Sequence, residues 1–265
     1  MSRRVLVTGA ASGLGAALAR RFVAAGDRVL LTDLTPGVTN VTLEDDRVAY
    51  EPLDVRSDED WDRARDWCEQ HWGGLDLLVN NAGVASGGRI DQVPIAEWDR
   101  VVDVNLKGVA RGCRTFVPVM KRQHSGHLVN VASAAGLVHP PGMSVYNSVK
   151  AAVVALSETL AHELEPYGIA TSVVCPSFFR TNLAESLGGS DPAVESSARE
   201  LIDGASLSAD EVASRVVSAV DKRRFLVIPD KEGRAAWTAK RFVRAAYDRQ
   251  LRRVARDLHA RVEES

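Results

Sequence analysis

The chain has 265 residues, of which 45% are hydrophobic and 26% charged, as in an ordinary folded globular protein. No stretch reaches the roughly 18 apolar residues of a membrane span, and the opening MSRRVLVTGA has too short an apolar run for a signal peptide. The three cysteines, Cys68, Cys113 and Cys175, lie far apart, which argues against a metal site and against disulfides. We therefore expect a cytoplasmic protein that binds no metal.

Short apolar runs alternate along the chain with longer stretches of helical periodicity. The predicted strands, in chain order, are 4–9, 28–33, 47–55, 75–83, 126–133, 169–176 and 224–229. The predicted helices between them are 13–26, 57–72, 95–123, 143–166 and 208–222. The strands are continuously apolar, as parallel strands covered on both faces are, and the alternation indicates right-handed crossovers. The sequence therefore predicts one α/β domain over 1–230, a Rossmann-type doubly wound parallel sheet of about seven strands.

Two segments depart from this alternation. Residues 183–206 are rich in small and polar side chains, so we predict an irregular stretch that is either a variable surface insertion or a mobile lid over the substrate. Residues 231–265 carry 10 Lys and Arg against 5 Asp and Glu, with apolar residues at helical spacing. This C-terminal helical extension is predicted to be a basic amphipathic helix. It would pack on the domain or on another subunit, or make peripheral membrane contact, and no motif favours nucleic acid.

A glycine-rich turn, TGAASGLG, joins the first strand to the first helix. Gly9, Gly13 and Gly15 would let the backbone turn tightly and approach a pyrophosphate, while the helix N-terminus supplies free N–H groups. Taken alone, such glycines could also form a tight connection without a ligand. Asp33 ends the second strand, where a carboxylate can accept both ribose hydroxyls and would repel a 2′-phosphate. Because position 12 is Ser and 34–37 hold no basic residue, the pattern favours NAD over NADP.

The stretch YNSVK places Tyr146 one helical turn before Lys150, so the two side chains share a helix face. A phenol normally titrates near pH ~10, and a nearby positive charge lowers its pKa. The spacing therefore predicts an acid/base pair, although a surface packing pair would show the same spacing.

Eight motifs in order resemble the short-chain dehydrogenase/reductase family. They are TGAASGLG (8–15), Asp33, DV (54–55), NNAG (80–83), VNLKG (104–108), VNVAS (129–133), YNSVK (146–150) and the run from Pro176 to Thr181. The resemblance covers about 1–230 and implies an oxidoreductase that transfers a hydride to or from a nicotinamide. One departure is Ser177, which stands where many members have Gly and leaves open how the segment after the sixth strand folds.

The resemblance implies a role for each of four catalytic residues. Tyr146 resembles the general acid/base, and Lys150 the residue that lowers the pKa of that tyrosine and holds the nicotinamide ribose. Ser133 resembles the residue that holds the substrate oxygen, and Asn105 the one that organises a water in a proton relay. Asp54 would reach the adenine ring or serve as a helix N-terminal carboxylate. The implied cofactor-binding residues are Gly9, Ser12, Gly13, Leu14, Gly15, Asp33, Asp54, Val55, Asn81, Ala82, Gly83, Tyr146, Lys150, Pro176, Phe179 and Thr181.

The stretches that would form the substrate pocket are mainly apolar. The expected substrate contacts are Ser133, Tyr146, Leu137, Met143 and Phe178. We expect an NAD-dependent enzyme that interconverts a hydrophobic secondary alcohol and its ketone, assembled as a homo-tetramer or homo-dimer. The alternatives are an NADP-dependent carbonyl reductase, reduction of C=C or C=N bonds, and a non-catalytic nucleotide-binding regulator.

Overall fold

The computed structural model describes residues 2–34, 46–188 and 190–263. The strands are β1 (Arg4–Thr8), β2 (Arg28–Asp33), β3 (Val48–Pro52), β4 (Leu77–Asn80), β5 (Gly126–Val131), β6 (Ile169–Val174) and β7 (Leu226–Val227). The helices are α1 (Gly13–Ala24), α2 (Asp58–Trp72), α3 (Ile95–Val102), α4 (Gly108–Gln123), α5 (Ala135–Val138), α6 (Ser144–Leu164), α7 (Pro192–Asp203), α8 (Ala209–Asp221), α9 (Lys231–Phe242) and α10 (Arg244–Glu263).

All seven strands form one parallel sheet in the order β3-β2-β1-β4-β5-β6-β7. The chain builds the sheet outward from β1 to β3, then returns to β4 and builds outward in the other direction. The carboxyl ends of β1 and β4 therefore flank the point where the strand order reverses, which is where such sheets bind ligands. The predicted Rossmann-type, doubly wound architecture is confirmed.

The central strand β1 shows why its sequence is apolar without alternation. Val5 and Val7 pack into the core cluster that includes α1 and α8, whereas Leu6 packs into the cluster of Trp61 and Phe116 on the opposite face. The side chains of Val5, Leu6, Val7 and Thr8 are essentially inaccessible to solvent, whereas Arg4 at the start of the strand is partly exposed. A strand covered on both faces cannot carry a polar stripe, because each buried polar group would need a partner.

The stretch 183–206, predicted to be irregular, contains the helix α7. Asp191 precedes this helix, and Pro192 occupies its first turn, where a missing N–H costs nothing. The small and polar residues that suggested a loop lie along the helix, while Val194 and Ile202 are buried. The amphipathic pattern of α7 is short, and the glycine pair 188–189 before it makes a loop the more natural prediction from the sequence.

The predicted helix 95–123 contains a π-helical turn, Asp103–Lys107, between α3 and α4. Such turns insert one extra residue and are frequent at functional sites. The extra residue here changes the direction in which Asn105 points relative to a continuous α-helix.

The C-terminal extension forms two helices, α9 and α10, instead of one. They meet at Val243, and α10 folds back onto α7. Tyr247 of α10 is buried, and Leu258 contacts the surface of the domain. The extension thus contacts its own domain, which is one of the alternatives that the sequence leaves open. Within the described residues no helix is long and apolar enough to cross a membrane, and peripheral membrane contact stays a prediction.

Candidate active site

A cleft of about 1060 Å³ opens at the carboxyl ends of the strands, beside the switch point between β1 and β4. Gly9, Ser12 and Asp33 line one end of it. Ser133, Tyr146 and Lys150 line the middle, and apolar side chains line the other end. The cleft is thus polar and glycine-rich at one end and apolar at the other.

The glycine turn has no room for side chains. Gly9 and Gly13 have φ of 64° and 53°, a region that residues with a Cβ rarely adopt. A Cβ on Gly15 would collide with the carbonyl oxygen of Gly9 and lie 2.5 Å from Nδ2 of Asn81. Ser12 precedes α1 without capping it through its side chain, so the first N–H groups of the helix keep their hydrogen-bonding capacity. This cradle fits an anionic group such as a pyrophosphate.

Asp33 ends β2 at the edge of the cleft, with its carboxylate held by the backbone. Its Oδ2 accepts from the N–H of Ala11 at 2.9 Å, and its Oδ1 accepts from the N–H of Leu34 at 2.8 Å. Each oxygen keeps a lone pair for a further donor, as recognition of a ribose requires. Positions 35–37, part of the cofactor argument from sequence, lie outside the described residues.

Asp54 also lines the cleft, but its carboxylate is already paired. Arg56 reaches both oxygens with its guanidinium, the shorter contact being 2.6 Å, and donates its own backbone N–H to Oδ1. This arginine holds the pKa of Asp54 below its usual range. The helix cap of α2 is Ser57, whose hydroxyl accepts from the N–H of Asp60, so Asp54 does not cap that helix.

Asn81 connects the glycine turn to the end of β4. Its Nδ2 donates to the carbonyls of Thr8 and Gly9 at 2.9 and 3.2 Å, and its N–H donates to the hydroxyl of Thr8. Asn81 therefore ties the glycine turn to the end of β4.

Tyr146 lies in the first turn of α6 and is 8% exposed. Burial raises its pKa to about 12, and a hydrogen bond with Ser133 offsets part of that rise. The hydroxyl of Ser133 accepts from the N–H of Ala135 at 3.1 Å and also contacts the carbonyl of Pro176 at 3.4 Å. The Ser133 hydroxyl is therefore held by backbone on two sides, and both Ser133 and Tyr146 line the middle of the cleft.

Lys150 is 4% exposed, and its ammonium group donates to the carbonyl of Val131 at 3.0 Å. The Nζ lies 5.6 Å from the centre of the Tyr146 ring. Burial lowers the pKa of Lys150 to about 8. The lowered tyrosine pKa that the spacing predicts is therefore not present in the protein alone, because desolvation of the phenol is the largest effect on its pKa and raises it.

Asn105 is inaccessible and lies behind the cleft wall. Its side chain forms two hydrogen bonds with the backbone of Val84. Oδ1 accepts from the Val84 N–H at 2.8 Å, and Nδ2 donates to the Val84 carbonyl at 2.9 Å. A Cβ on Gly83 would lie 3.1 Å from this Oδ1 and 3.7 Å from Nζ of Lys150. The amide of Asn105 thus holds the loop after β4, and its role in a proton relay stays a prediction.

The profile of the short chain dehydrogenase family matches residues 3–191. The chain is 37% identical over 194 residues to 2-(R)-hydroxypropyl-CoM dehydrogenase of Xanthobacter autotrophicus, covering 70% of this chain and 78% of that one. It is 32% identical over 197 residues to D-beta-hydroxybutyrate dehydrogenase of Rhizobium meliloti, covering 70% and 74%. A short-chain dehydrogenase/reductase of Burkholderia phymatum, solved in complex with NAD, superposes with a TM-score of 0.84 at 31% identity over 89% of this chain and 92% of that one.

The chain belongs to the short-chain dehydrogenase/reductase family. It is an NAD(P)-dependent oxidoreductase that acts on CH–OH groups. The match to the family ends at residue 191, so α7 to α10 lie beyond it.

The cleft of this short-chain dehydrogenase contains most of the residues singled out in the sequence. Of the cofactor set only Gly15 lies beneath the surface, and of the catalytic set only Asn105. Met143 and Phe178 line the apolar end as expected, but Leu137 does not. Leu137 packs against the core cluster on the α6 face of the sheet, and its neighbour Val138 faces the cleft. The one-residue difference arises because α5 is a single turn whose rotation was not evident from the sequence.

Ser177 is accommodated without backbone strain. It does not have a positive φ, and its N–H donates to Oδ2 of the buried Asp230 at 2.9 Å. The same carboxylate accepts from the N–H of Gly233 at 2.6 Å and so caps α9. The segment after β6 is thereby tied to the C-terminal extension.

The segment before α7 is fastened to the loop after β4. The guanidinium of Arg100 donates to the carbonyls of Ala85 and Ser186, each at 3.3 Å, and the Ser186 hydroxyl accepts from the N–H of Ala85 at 2.7 Å. Arg89 pairs with the buried Asp191 at 2.7 Å. Residues of the stretch 183–206 therefore line the cleft and are held by polar contacts, while a role as a mobile lid stays a prediction.

Sequence reasoning did not identify several residues that line the cleft. They are Arg56, Ala198, Leu201, Ile202, Gly233 and Ala236. Arg56 could have been found from its place two residues after Asp54. The others lie on α7 and α9, and their apolar spacing is visible in the sequence, but nothing local indicates that these helices fold over the cleft.

Proposed function

We propose that this protein is an NAD-dependent dehydrogenase that interconverts an apolar secondary alcohol and its ketone. The observation that carries the proposal is that Ser133 and the buried Tyr146 both line the cleft, at the point where its polar and apolar ends meet. A substrate oxygen bound there would contact both hydroxyls, while its carbon substituents would face apolar side chains.

The preference for NAD rests on Asp33. Two backbone N–H groups hold its carboxylate in place, so the carboxylate cannot turn away from a 2′-phosphate. Repulsion between these two anions would weaken the binding of NADP but not that of NAD. Arg56 is the basic residue that lines this end of the cleft, and its charge is neutralised by Asp54. The structural relative from Burkholderia phymatum, solved with NAD, supports the same assignment.

The bound nicotinamide would donate or accept the hydride, and the residues of this chain would manage the proton. Tyr146 takes the hydroxyl proton of the alcohol or gives one to the ketone, and Ser133 orients the oxygen with its hydroxyl. Lys150 has a pKa of about 8 and is therefore mainly protonated near neutral pH, where its charge favours the phenolate. Asn105 keeps the loop at Val84 in place beside Lys150.

The apolar end of the cleft supports a hydrophobic substrate. Met143, Phe178, Leu183, Leu187, Leu201, Ile202 and Leu207 line it. Two relatives carry names that describe dehydrogenases of hydroxy compounds, which supports alcohol oxidation as the direction. We further propose that the protein is a homo-dimer or homo-tetramer in the cytoplasm. Size-exclusion chromatography coupled to light scattering would measure the molar mass of the assembly.

The test compares Tyr146→Phe with Tyr167→Phe, a change at a surface tyrosine that is 39% exposed and lies in the turn after α6. A panel of apolar secondary alcohols is assayed by the appearance of NADH. We expect Tyr146→Phe to lower kcat by about 10²–10⁴-fold with the affinity for NADH retained, and Tyr167→Phe to behave as the wild type. Full turnover by Tyr146→Phe would contradict the assigned role.

A further inference from the structure

The C-terminal extension begins at the cleft itself. Asp230 caps α9 through the N–H of Gly233 and also binds the N–H of Ser177, so the first turn of α9 is fixed to the segment after β6. Gly233 and Ala236, one turn apart on α9, both line the cleft. This helix therefore forms a wall of the apolar end, and it lies outside residues 3–191, which the family profile matches.

The far end of α9 is anchored to α5. Nζ of Lys240 donates to the carbonyl of Leu137 at 2.5 Å. The last carbonyls of a helix have no partner within it, so a cationic donor there satisfies one of them and complements the helix dipole. Because α5 follows directly after Ser133 and carries Val138 on the cleft, this contact connects α9 to the opposite wall.

The helix α10 then returns over α7. Leu258 and Val194 meet at Gly142, where a Cβ would lie 3.0 Å from Leu258 and 3.2 Å from Val194. Arg261 donates to Glu200 at 3.1 Å and to Ser197 at 3.2 Å, both on α7. Since α7 carries Ala198, Leu201 and Ile202 into the cleft, α10 holds a second wall in position from outside.

We infer that the extension, residues 231–263, completes the substrate site of this enzyme and determines how large an apolar substituent it accepts. The inference rests on the proposed alcohol and ketone chemistry. The substituent would lie between Ala236 of α9 and the α7 residues Leu201 and Ile202. The small side chain at 236 leaves the space that a long substituent needs.

The decisive variant is Ala236→Phe, which places a ring in that space. Its matched control is Ala235→Phe, the adjacent residue of the same helix, which is exposed and does not line the cleft. Each variant is assayed with NAD and either isopropanol or sec-octanol. We expect Ala236→Phe to lower kcat/KM for sec-octanol about 10-fold or more while isopropanol changes by no more than about 2-fold, because discrimination in an apolar pocket reaches this size.

Binding is measured separately from turnover. Methyl hexyl ketone is titrated calorimetrically into each protein saturated with NAD, a mixture in which the ketone cannot be reduced. We expect about 10-fold weaker binding to Ala236→Phe alone. One outcome separates the two claims: the wild type binds the ketone about 10-fold more tightly than Ala236→Phe but oxidises no alcohol. In that case the proposed chemistry is wrong, and the inference that α9 completes the substrate site stands. If Ala236→Phe and Ala235→Phe behave alike in both assays, the inference is wrong.

Two further measurements guard against misfolding and test the anchor. NADH affinity and Tm should be unchanged in both variants, and Ala236→Val replaces Ala236→Phe if the larger ring prevents folding, with an expected loss of about 3-fold. Lys240→Met should raise KM for sec-octanol about 3-fold with KM for NAD unchanged, because it removes the contact that joins α9 to α5. Lys231→Met, at the exposed start of α9, should change none of these values. Equal effects of the two lysine changes would contradict the anchoring role.

Discussion

The cofactor end and the substrate end of the cleft are built in different ways. At the cofactor end much of the surface is the backbone of the glycine turn, and Gly9 lies against Asn81 where two buried strands end. At the substrate end the surface is side chains on α7 and α9, helices outside the sheet that are held by polar contacts such as Arg89 to Asp191. The first end is as rigid as the core, whereas the second can change its lining without disturbing the sheet.

The largest expected difference between the two ends is in the effect of a Gly→Ala change, which adds one methyl group, on NAD binding and on the free energy of unfolding. Gly15→Ala would force the Cβ into the Gly9 carbonyl, and we expect about 100-fold weaker NAD binding and a loss of about 3 kcal/mol in the free energy of unfolding. Gly87→Ala, at the substrate end, would place its Cβ 3.5 Å from Val194, an ordinary contact, and should cost under about 0.5 kcal/mol. Fluorescence titration with NADH and urea unfolding measure both, and similar losses at the two positions would contradict the comparison.

The next effect concerns Lys150, which lies between the two ends. Its pKa is about 8 in the folded protein and about 10.4 in an unfolded chain. Between these values the unfolded chain binds a proton that the folded protein does not, so this residue makes stability rise with pH in that window, and its penalty is largest below about pH 8. Relative to Lys150→Met, the wild type should therefore gain on the order of 3 kcal/mol of unfolding free energy from about pH 7 to about pH 10.5.

Urea unfolding at several pH values measures the difference in unfolding free energy between the wild type and Lys150→Met. The titration of all other groups is common to both proteins and cancels in this difference. Lys121→Met, at a lysine on the surface near Tyr167, is the matched control and should show no such gain. A difference between wild type and Lys150→Met that is flat or falls with pH would show that burial does not lower the pKa of Lys150.

The smallest expected effect changes the choice of cofactor without changing the fold. Asp33→Asn keeps an acceptor for the N–H of Ala11 and removes the negative charge. We expect the ratio of kcat/KM for NAD to that for NADP to fall about 10-fold, since one charge interaction of this kind contributes about 1–2 kcal/mol. Asp99→Asn, at an exposed position of α3, is the control and should leave the ratio unchanged. An unchanged ratio in Asp33→Asn would mean that another group selects the cofactor.

Much of the cofactor end could be predicted from the sequence because its signals are local. A continuous apolar run must be covered on both faces, and parallel strands end at one edge, so the glycine turn, Asp33 and Asn81 must meet there. The spacing of Tyr146 and Lys150 likewise determines that they share a helix face. Ser133 ends the run of β5, so its place at the same edge follows from the same rule.

What only the tertiary structure decided involves contacts between distant parts of the chain. The rotation of α5, which turns Val138 and not Leu137 to the cleft, depends on packing against the core. The raised pKa of Tyr146 depends on how completely neighbouring elements exclude water from it, since desolvation is a property of the whole surroundings. The folding of α9 and α10 over the substrate end depends on Lys240 and Leu258 finding partners more than a hundred residues away. Periodicity determines that a helix has an apolar face, but the surface that this face covers is determined by the assembled domain.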